Sequence, residues 1–271
     1  MPVIRSQNLT EWEYVGEAFE SRPSWKGSGS IWAPEITKFQ DQYYLYYSLS
    51  TWGDSNPGIG VAVADQPEGP FEDKGKVFDS EEIGVENSID PFFYEQDGRP
   101  FLVWGSFNGI YGVELEEDGL APKGEPFEIA GDDYEAPYIV EEGGYYYFFG
   151  SRGSCCEGED STYNVAVGRS ENIEGPYTDK DGKALTENGG TLILEGSPEG
   201  SFAGPGHNAV IQDDEGKDWL VYHAIDKKEP LLWTSASRRP LMIDPIEWKD
   251  GWPEIEGERP SEGEQNGPSI N

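Results

Sequence analysis

The sequence has few cationic residues: 19 Lys and Arg stand against 53 Asp and Glu, which gives a formal net charge of −34. This charge excludes nucleic acid and other polyphosphates as partners, because they bind cationic surfaces. The acidic residues are spread along the chain, so their mutual repulsion should destabilise the fold in dilute buffer and be screened by salt. This pattern predicts a halophilic, acidic protein, with an ordinary acidic extracellular protein as the alternative.

Cysteine is nearly absent, since the two cysteines are the adjacent pair Cys155 and Cys156. An adjacent pair cannot form a disulfide framework and does not match the spacing of zinc ligands. It can form a vicinal disulfide or remain as two buried thiols, and the sequence does not decide between them. Catalytic thiol chemistry is not expected, because no His lies nearby in sequence.

Long apolar runs are also missing, and no segment approaches the roughly 18 residues needed to span a bilayer. No basic segment followed by an apolar one begins at Met1, as a secretory signal peptide would. Membrane association is therefore not expected. Either the protein is cytoplasmic, or an N-terminal part is missing from this sequence and the full-length form is extracellular; we favour the second interpretation.

Helical periodicity is nearly absent, and short aromatic and β-branched runs recur between turn residues. The chain contains 35 Gly and 20 Pro, which suits many tight turns. Four of these runs are Tyr43 to Ser48, Phe101 to Gly105, Tyr145 to Phe149 and Trp219 to His223. Runs of this kind predict an all-β protein with many antiparallel strands.

An internal repeat organises these strands. Each unit opens with a short Pro- or Gly-containing signal and then runs through an apolar strand, a turn and an aromatic strand. The openings are Trp32-Ala-Pro-Glu35, Ile89-Asp-Pro-Phe92, Glu135-Ala-Pro-Tyr138 and Gly206-His-Asn-Ala209. Units of this size with about four strands are typical of propeller blades.

Residues 2–16 read as the outer strands of a further blade. We therefore predict a five-bladed β-propeller over residues 1–253, with its first blade incomplete at the N-terminus, and a disordered acidic tail over residues 254–271. A β-sandwich with a similar number of strands is the alternative, which the repeat disfavours.

In a propeller the innermost strand of each blade starts at the central funnel, so residues at the repeat openings should converge. This places Trp32, Asp90, Glu135 and His207 around one cavity. Glycoside hydrolysis requires two carboxyl groups of this kind, one held protonated and one held ionised.

Several motifs resemble those of glycoside hydrolase family 43, in particular its endo-α-1,5-L-arabinanases. The motifs are Trp32-Ala-Pro-Glu35, Asn87-Ser-Ile-Asp-Pro91, Glu135-Ala-Pro-Tyr-Ile-Val140, Ser154-Cys-Cys-Glu-Gly158 with Ser161-Thr-Tyr163, and Gly204-Pro-Gly-His-Asn208. Singly they are weak, but their order and spacing are specific. The resemblance implies an inverting hydrolase of arabinan or arabino-oligosaccharides that has no organic cofactor and acts as a monomer.

The resemblance also implies catalytic roles. Glu135 matches the general acid that protonates the leaving oxygen, and Asp90 matches the carboxylate that tunes and orients that acid. The family's general base is an Asp in a His-Asp-Pro opening of the first blade, and this sequence contains no such opening. Because the innermost strand of that blade is also missing, we expect the chain to fold imperfectly. Losing a general base costs at least about 10²–10⁴-fold in rate, so we also expect the chain to be close to inactive.

The remaining candidate site residues would surround the carboxylates. Trp32 and Phe107 are predicted as apolar platforms for sugar rings. Asn87, Ser106 and Ser151 are predicted to hydrogen-bond substrate. His207 matches a metal ligand on the propeller axis, with calcium and water as its expected partners, whereas a core His held by hydrogen bonds is the alternative. His223 is expected to be structural.

Two other functions remain open. An exo-acting α-L-arabinofuranosidase or a β-xylosidase of the same family would attack chain ends, and its cleft would be blocked at one end. A catalytically inactive propeller that only binds polysaccharide would be consistent with the missing base.

Overall fold

The computed structural model describes residues 1–270, and nearly all of its regular structure is β-strand. One short helix, α1 (Ser80–Ile83), is capped by Asp79, whose side chain accepts a hydrogen bond from the Glu82 backbone N–H. Three 3₁₀ turns occupy Gly158–Asp160, Leu185–Glu187 and Glu256–Glu258. No helix within residues 1–270 is long and apolar enough to cross a membrane.

The strands form four antiparallel sheets of three or four strands, in which neighbours in sequence are neighbours in the sheet. Blade 1 contains β3 (Ser30–Phe39), β4 (Gln42–Ser50), β5 (Gly58–Ala64) and β6 (Glu72–Asp79). Blade 2 contains β7 (Phe92–Gln96), β8 (Arg99–Trp104), β9 (Ile110–Leu115) and β10 (Pro122–Ala130). Blade 3 contains β11 (Tyr134–Glu142), β12 (Tyr145–Arg152), β13 (Asn164–Ser170) and β14 (Thr191–Glu195). Blade 4 contains β15 (Phe202–Gln212), β16 (Asp218–Asp226) and β17 (Leu241–Pro245).

Two short ribbons complete the strand inventory. The N-terminal ribbon pairs β1 (Pro2–Ser6) with β2 (Trp12–Glu17), and the C-terminal ribbon pairs β18 (Glu247–Lys249) with β19 (Trp252–Glu254). The C-terminal ribbon packs through Trp248 and Trp252 against Tyr147 of blade 3.

The four blades are arranged radially around an axis. Their first strands contact one another in order, β3 with β7, β7 with β11, and β11 with β15. Separate apolar cores fill the spaces between blades 1 and 2, blades 2 and 3, and blades 3 and 4. These cores are rich in aromatic residues such as Tyr46, Trp104 and Phe148, each fully buried. The prediction of an all-β propeller is confirmed.

The prediction of five blades is corrected, because the described chain forms four. The N-terminal ribbon has only two strands, which pair with each other and with no other strand of residues 1–270. It packs on blade 1 through a core that includes Phe19 and Tyr47, and the Phe71 backbone N–H donates to the Ala18 carbonyl. Its outward side chains Ile4 and Tyr14 remain exposed.

The C-terminal segment expected to be disordered makes specific hydrogen bonds. The predicted domain boundary falls inside β19. The Gln265 side chain donates to the Ile243 carbonyl of β17, and the Ser269 backbone N–H donates to Asp213. The segment predicted as a disordered tail thus supplies backbone and amide donors to acceptors of blade 4. Its polar composition alone did not indicate these contacts.

Candidate active site

An axial cavity of about 340 Å³ lies where the four blade openings meet. Three consecutive positions of each opening line it: residues 33–35 from blade 1, 90–92 from blade 2, 136–138 from blade 3 and 207–209 from blade 4. The remaining lining residues, Val221, Tyr222, His223 and Leu241, belong to β16 and β17. Of the four residues predicted to surround one cavity, Asp90 and His207 line it, whereas Trp32 and Glu135 directly precede the lining positions of their blades.

The backbone has the same irregularity at each opening. Ala33, Asp90, Ala136 and His207 occupy equivalent positions, and all have a positive φ between 32° and 58°. In β3, β11 and β15 the strand pairing shifts at this point, which is a β-bulge. The left-handed residue interrupts the strand alternation, so consecutive residues of each opening line the cavity. Such backbone is costly for residues other than Gly and is concentrated at functional sites.

Glu135 is the residue just before the left-handed position in blade 3, and its side chain is half-buried. Its Oε2 accepts a hydrogen bond of 2.8 Å from the Ser106 hydroxyl, and its Oε1 accepts one from the Tyr163 phenol. Burial raises the pKa of Glu135, and the nearby Asp90 carboxyl raises it further, whereas the two hydrogen bonds act in the opposite direction. A carboxyl group with a raised pKa keeps its proton and is suited to act as a general acid.

Asp90 occupies the left-handed position of blade 2 and is 6% exposed. Burial raises its pKa to about 7, and a hydrogen bond from the Ala136 backbone N–H limits the rise. Its own backbone N–H donates to the Ser48 hydroxyl at 3.1 Å. Asp90 is thus held by blades 1 and 3, beside Glu135, where its charge influences the acid.

A serine at the end of the second strand links each of the first three blades to the next one. Ser48 accepts from the Asp90 backbone N–H, and Ser151 accepts from the His207 backbone N–H at 2.8 Å. Between blades 2 and 3 the Ala136 backbone N–H donates to the Asp90 carboxyl group and not to a serine. The hydroxyl of the equivalent Ser106 is therefore available to bond Glu135.

Two serines predicted to hydrogen-bond substrate bind protein groups in the described structure. Ser106 and Ser151 are 3% and 0% exposed, so neither has a surface open to substrate, and their hydroxyl groups bond to protein. In the described structure the two hydroxyl groups support Glu135 and the His207 backbone.

The other predicted substrate residues lie around the same end of the blades. Phe107 is 41% exposed and follows Ser106 in the loop between β8 and β9. Asn87 donates from Nδ2 to the Ser106 carbonyl at 2.7 Å, which fixes that loop. Trp32 is half-buried and directly precedes the left-handed Ala33. A Cβ on Gly105 would lie 2.2 Å from the Gly109 carbonyl oxygen, so the loop that carries Phe107 requires glycine there.

His207 and His223 lie together at the blade 4 side of the cavity, with ring centroids 6.5 Å apart. Burial lowers the pKa of both, that of His223 to about 3, so the His223 ring is neutral. His223 Nδ1 and both side-chain polar atoms of Asn208 are buried without a partner in the described structure. Buried polar atoms of this kind are usually satisfied by water or an ion.

The side chains around His207 do not by themselves provide a set of ligands for the predicted calcium ion. Among residues 1–270 no group of three or more His, Cys, Asp or Glu side chains is placed to hold a metal ion. Calcium prefers six to eight oxygen ligands. His207 would therefore have to share such an ion with water.

Glu35 is a cavity residue whose role the sequence reasoning did not identify. It follows Pro34 in the blade 1 opening, and burial raises its pKa to about 8 although it keeps some access to the cavity. No hydrogen bond of its carboxyl group is present in the described structure. The repeat could have revealed it, because Glu35 is equivalent to Phe92 and Tyr138, which also line the cavity.

Cys155 and Cys156 form a vicinal disulfide, which decides between the two alternatives. They lie in the loop between β12 and β13, the same loop that leads to Tyr163. The Arg239 guanidinium contacts the Cys156 Sγ at 3.4 Å. The disulfide thus lies beside blade 4, on the rim of the face where the blade openings begin.

Comparisons with known proteins agree with this geometry. The model of the glycosyl hydrolases family 43 matches residues 1–253. An extracellular exo-α-(1→5)-L-arabinofuranosidase of Cellvibrio japonicus is 34% identical over 94% of this chain and 80% of its own length. An extracellular endo-α-(1→5)-L-arabinanase of Bacillus subtilis is 34% identical over 93% of this chain and 78% of its own length.

A solved structure gives the same result. An α-L-arabinanase of Cellvibrio cellulosa in complex with arabinohexaose superposes with a TM-score of 0.84 at 33% identity, covering 95% of this chain and 89% of that one. The family model and the relatives cover almost the whole propeller, including all four openings of the axial cavity. The chain therefore belongs to the glycosyl hydrolases of family 43.

Proposed function

We propose that this protein is a glycoside hydrolase that cleaves internal α-1,5-L-arabinofuranosidic bonds of arabinan with inversion. The observation that carries the proposal is the pairing of Glu135 with Asp90, which lines the axial cavity; burial and the Asp90 charge raise the pKa of Glu135. Two relatives, named for arabinanase or arabinofuranosidase activity, and a solved structure with bound arabinohexaose support arabinan as the substrate.

In this mechanism Glu135 transfers its proton to the glycosidic oxygen as the bond to the anomeric carbon breaks. Asp90 accepts a hydrogen bond from the Ala136 amide, which fixes the backbone that carries Glu135, and in its ionised form Asp90 raises the pKa of Glu135. A water molecule attacks the opposite face of the sugar and loses its proton to a general base. Of the described cavity carboxyl groups, Asp90 and Glu35 have pKa values raised to about 7 and about 8, so neither is a strongly ionised base in mildly acidic solution.

Exo action on chain ends is the second candidate, because one relative at 34% identity is named as an exo-acting enzyme. The two modes differ in their first products. An endo-acting enzyme releases a range of oligosaccharides and quickly lowers the viscosity of linear arabinan, whereas an exo-acting enzyme releases one short product from the start.

The experiment is hydrolysis of debranched arabinan by the wild-type protein and by Glu135→Gln. The variant removes the acid proton and keeps the size of the side chain. We expect slow release of arabino-oligosaccharides by the wild type, with the new reducing ends first in the β configuration by NMR, and no release by the variant. Binding of arabinan without any release by either protein would instead favour a polysaccharide-binding propeller.

Several finer features belong to the same proposal. The protein acts outside the cell, as the names of two relatives say of those proteins. It acts as a monomer, and its charge of −34 suits a saline medium.

Calcium at His207 is also proposed, with water as its other ligands. The buried, unpartnered atoms of Asn208 and His223 support an occupant at this end of the cavity. Calorimetric titration with calcium should show binding that is lost in His207→Ala, and no heat of binding to the wild type would contradict this part of the proposal.

A further inference from the structure

The two carboxylate oxygens of Glu135 have different neighbours. Oε2 is bonded to the Ser106 hydroxyl, which is 2.8 Å away. Oε1 is bonded to the phenol of Tyr163, a residue that is 1% exposed. A general acid carries one proton, which can reside on either oxygen. The direction of these two hydrogen bonds decides which one.

The hydrogen bond at Oε1 is the last in a series of hydrogen bonds that starts at a backbone amide. The His207 N–H donates to the Ser151 Oγ at 2.8 Å, and the Ser151 hydroxyl is hydrogen-bonded to the Tyr163 phenol. A backbone N–H can only donate. Ser151 already accepts from the His207 N–H. If it accepted from Tyr163 as well, the Ser151 proton would have no acceptor among the hydrogen bonds of the described residues. Every donor in this series of hydrogen bonds has an acceptor when Ser151 donates to Tyr163 and Tyr163 donates to Glu135.

Packing on both sides of the Tyr163 ring keeps its hydroxyl group within this series of hydrogen bonds. Its ring stacks on His223, with centroids 5.8 Å apart and planes 14° apart. A Cβ on Gly206 would lie 2.3 Å from Tyr163 Cδ1, so the glycine backbone lies close against the ring. Burial and the charge of Glu135 raise the pKa of Tyr163 well above its usual value, so the phenol keeps its proton.

Ser106 is bound less restrictively. Glu135 is the only partner of its Oγ in the described structure, so the hydroxyl group can rotate and change from donor to acceptor. When Oε2 carries the proton, Ser106 accepts from it. When Oε2 is ionised, Ser106 donates to it. Ser106 therefore tolerates both states of Oε2, whereas Tyr163 tolerates only an unprotonated Oε1.

We propose that Tyr163 is a positioning residue that keeps Oε1 of Glu135 a permanent acceptor and confines the catalytic proton to Oε2, beside Ser106. This inference rests on the proposed hydrolase function and adds to it the oxygen from which the leaving group is protonated. Tyr163 itself does not transfer a proton to substrate.

The kinetic test compares Tyr163→Phe with a matched control, Tyr177→Phe. Tyr177 is also buried, but its hydroxyl group donates to the Ile173 carbonyl away from the cavity. On arabinan we expect Tyr163→Phe to lose about 10–100-fold in kcat, because the acid is misplaced. An aryl arabinofuranoside with a good leaving group needs little acid assistance, so the loss there should be within about threefold. Equal losses on both substrates, or equal losses in both variants, would overturn the proposal.

An infrared measurement locates the proton without turnover. Spectra of wild type minus Glu135→Gln isolate the C=O stretch of protonated Glu135. If Oε1 is the carbonyl oxygen, Tyr163→Phe removes its hydrogen bond and moves the band to higher frequency, whereas Ser106→Ala shifts it much less. A band that responds to Ser106→Ala and not to Tyr163→Phe would place the proton on Oε1 and refute the assignment. Should the wild type release no sugar from arabinan, the proposed function fails, but this spectrum still tests the proton position.

Discussion

The Asp90 carboxylate accepts a hydrogen bond from the backbone N–H of Ala136, the amide directly after Glu135. This contact ties the carboxyl group of blade 2 to the backbone that carries the acid in blade 3. Asp90 can therefore act on Glu135 in two ways, through its charge and by fixing the position of the opening. Both effects depend on the left-handed backbone at Asp90 and Ala136, which turns the two openings into the cavity.

Replacing Asp90 with Asn should separate these effects, since the amide can still accept from Ala136. The Asp90 charge raises the pKa of Glu135, so its removal should lower that pKa. Glu135 would then lose its proton at lower pH, and the alkaline limb of the pH–rate profile should move to lower pH. We also expect a decrease of about 10–100-fold in kcat.

The measurement is the pH profile of kcat on arabinan for both proteins, with circular dichroism as the control for folding. An alkaline limb that stays in place, together with a reduced kcat, would mean that Asp90 acts only through position.

Glu35→Gln should stabilise the protein at high pH. Burial raises the pKa of Glu35 to about 8 in the folded protein, against about 4.3 for an exposed Glu. Between these values the folded state binds the proton that the unfolded state has released, so Glu35 lowers the stability as the pH rises through this window. Glutamine does not ionise, so the variant should lack this loss, which is on the order of 2–4 kcal/mol above pH 8.

Urea unfolding at pH 4.5 and pH 8.5 measures this effect as a difference between variant and wild type. The repulsion among the other acidic residues is common to both proteins and cancels in the comparison. A variant that is equally more stable at both pH values would show that the gain comes from packing and not from the carboxyl proton.

The sequence indicated which blade openings meet at the axis, but it did not give the number of blades. The convergence of Asp90, Glu135 and His207 followed from the repeat, because equivalent openings must meet at the axis of a propeller. Hydrogen-bond partners could not be predicted in this way. Tyr163 and Ser106 reach Glu135 from loops outside its own strand, and a single sequence does not give the β-bulge that sets which side chain faces inward.

The error in the number of blades has a different origin. Residues 2–16 do form two antiparallel strands, as predicted, but strand pattern alone does not show whether further strands pair with them. Glu35 was overlooked because an acidic chain contains many carboxylates, and only the cavity separates a buried one from a solvated one. The tail was assigned from composition, which does not register hydrogen bonds such as the one from Gln265 to β17.

Salt should stabilise the fold strongly. The net charge of −34 is spread over the surface, and the Debye length falls from about 10 Å at 0.1 M salt to about 3 Å at 1 M. Screening of this repulsion should raise Tm by several degrees between 0.1 M and 2 M NaCl. Calorimetry in NaCl, with glycerol at equal osmolality as the control, separates screening from a general osmolyte effect. Equal changes of Tm in both solutes would contradict the charge explanation.

A small anionic nucleophile should increase the rate of the wild-type protein. Glu35 and Asp90, the acidic residues that line the cavity in the described structure, have pKa values of about 8 and about 7, so at pH 5.5 neither is a well-ionised base for water. Azide needs no base, because it attacks the anomeric carbon directly while Glu135 gives its proton to the leaving oxygen. The product would be β-L-arabinofuranosyl azide, with inversion.

We expect sodium azide to raise the rate on an aryl arabinofuranoside at pH 5.5 by about 10-fold or more, with the azide adduct identified by NMR. The same addition to Glu35→Gln should give the same increase, because Glu35 is not the base. A wild-type rate that is fast and indifferent to azide, but is abolished by Glu35→Gln, would instead identify Glu35 as the base. In that case the cavity must lower its pKa when substrate binds.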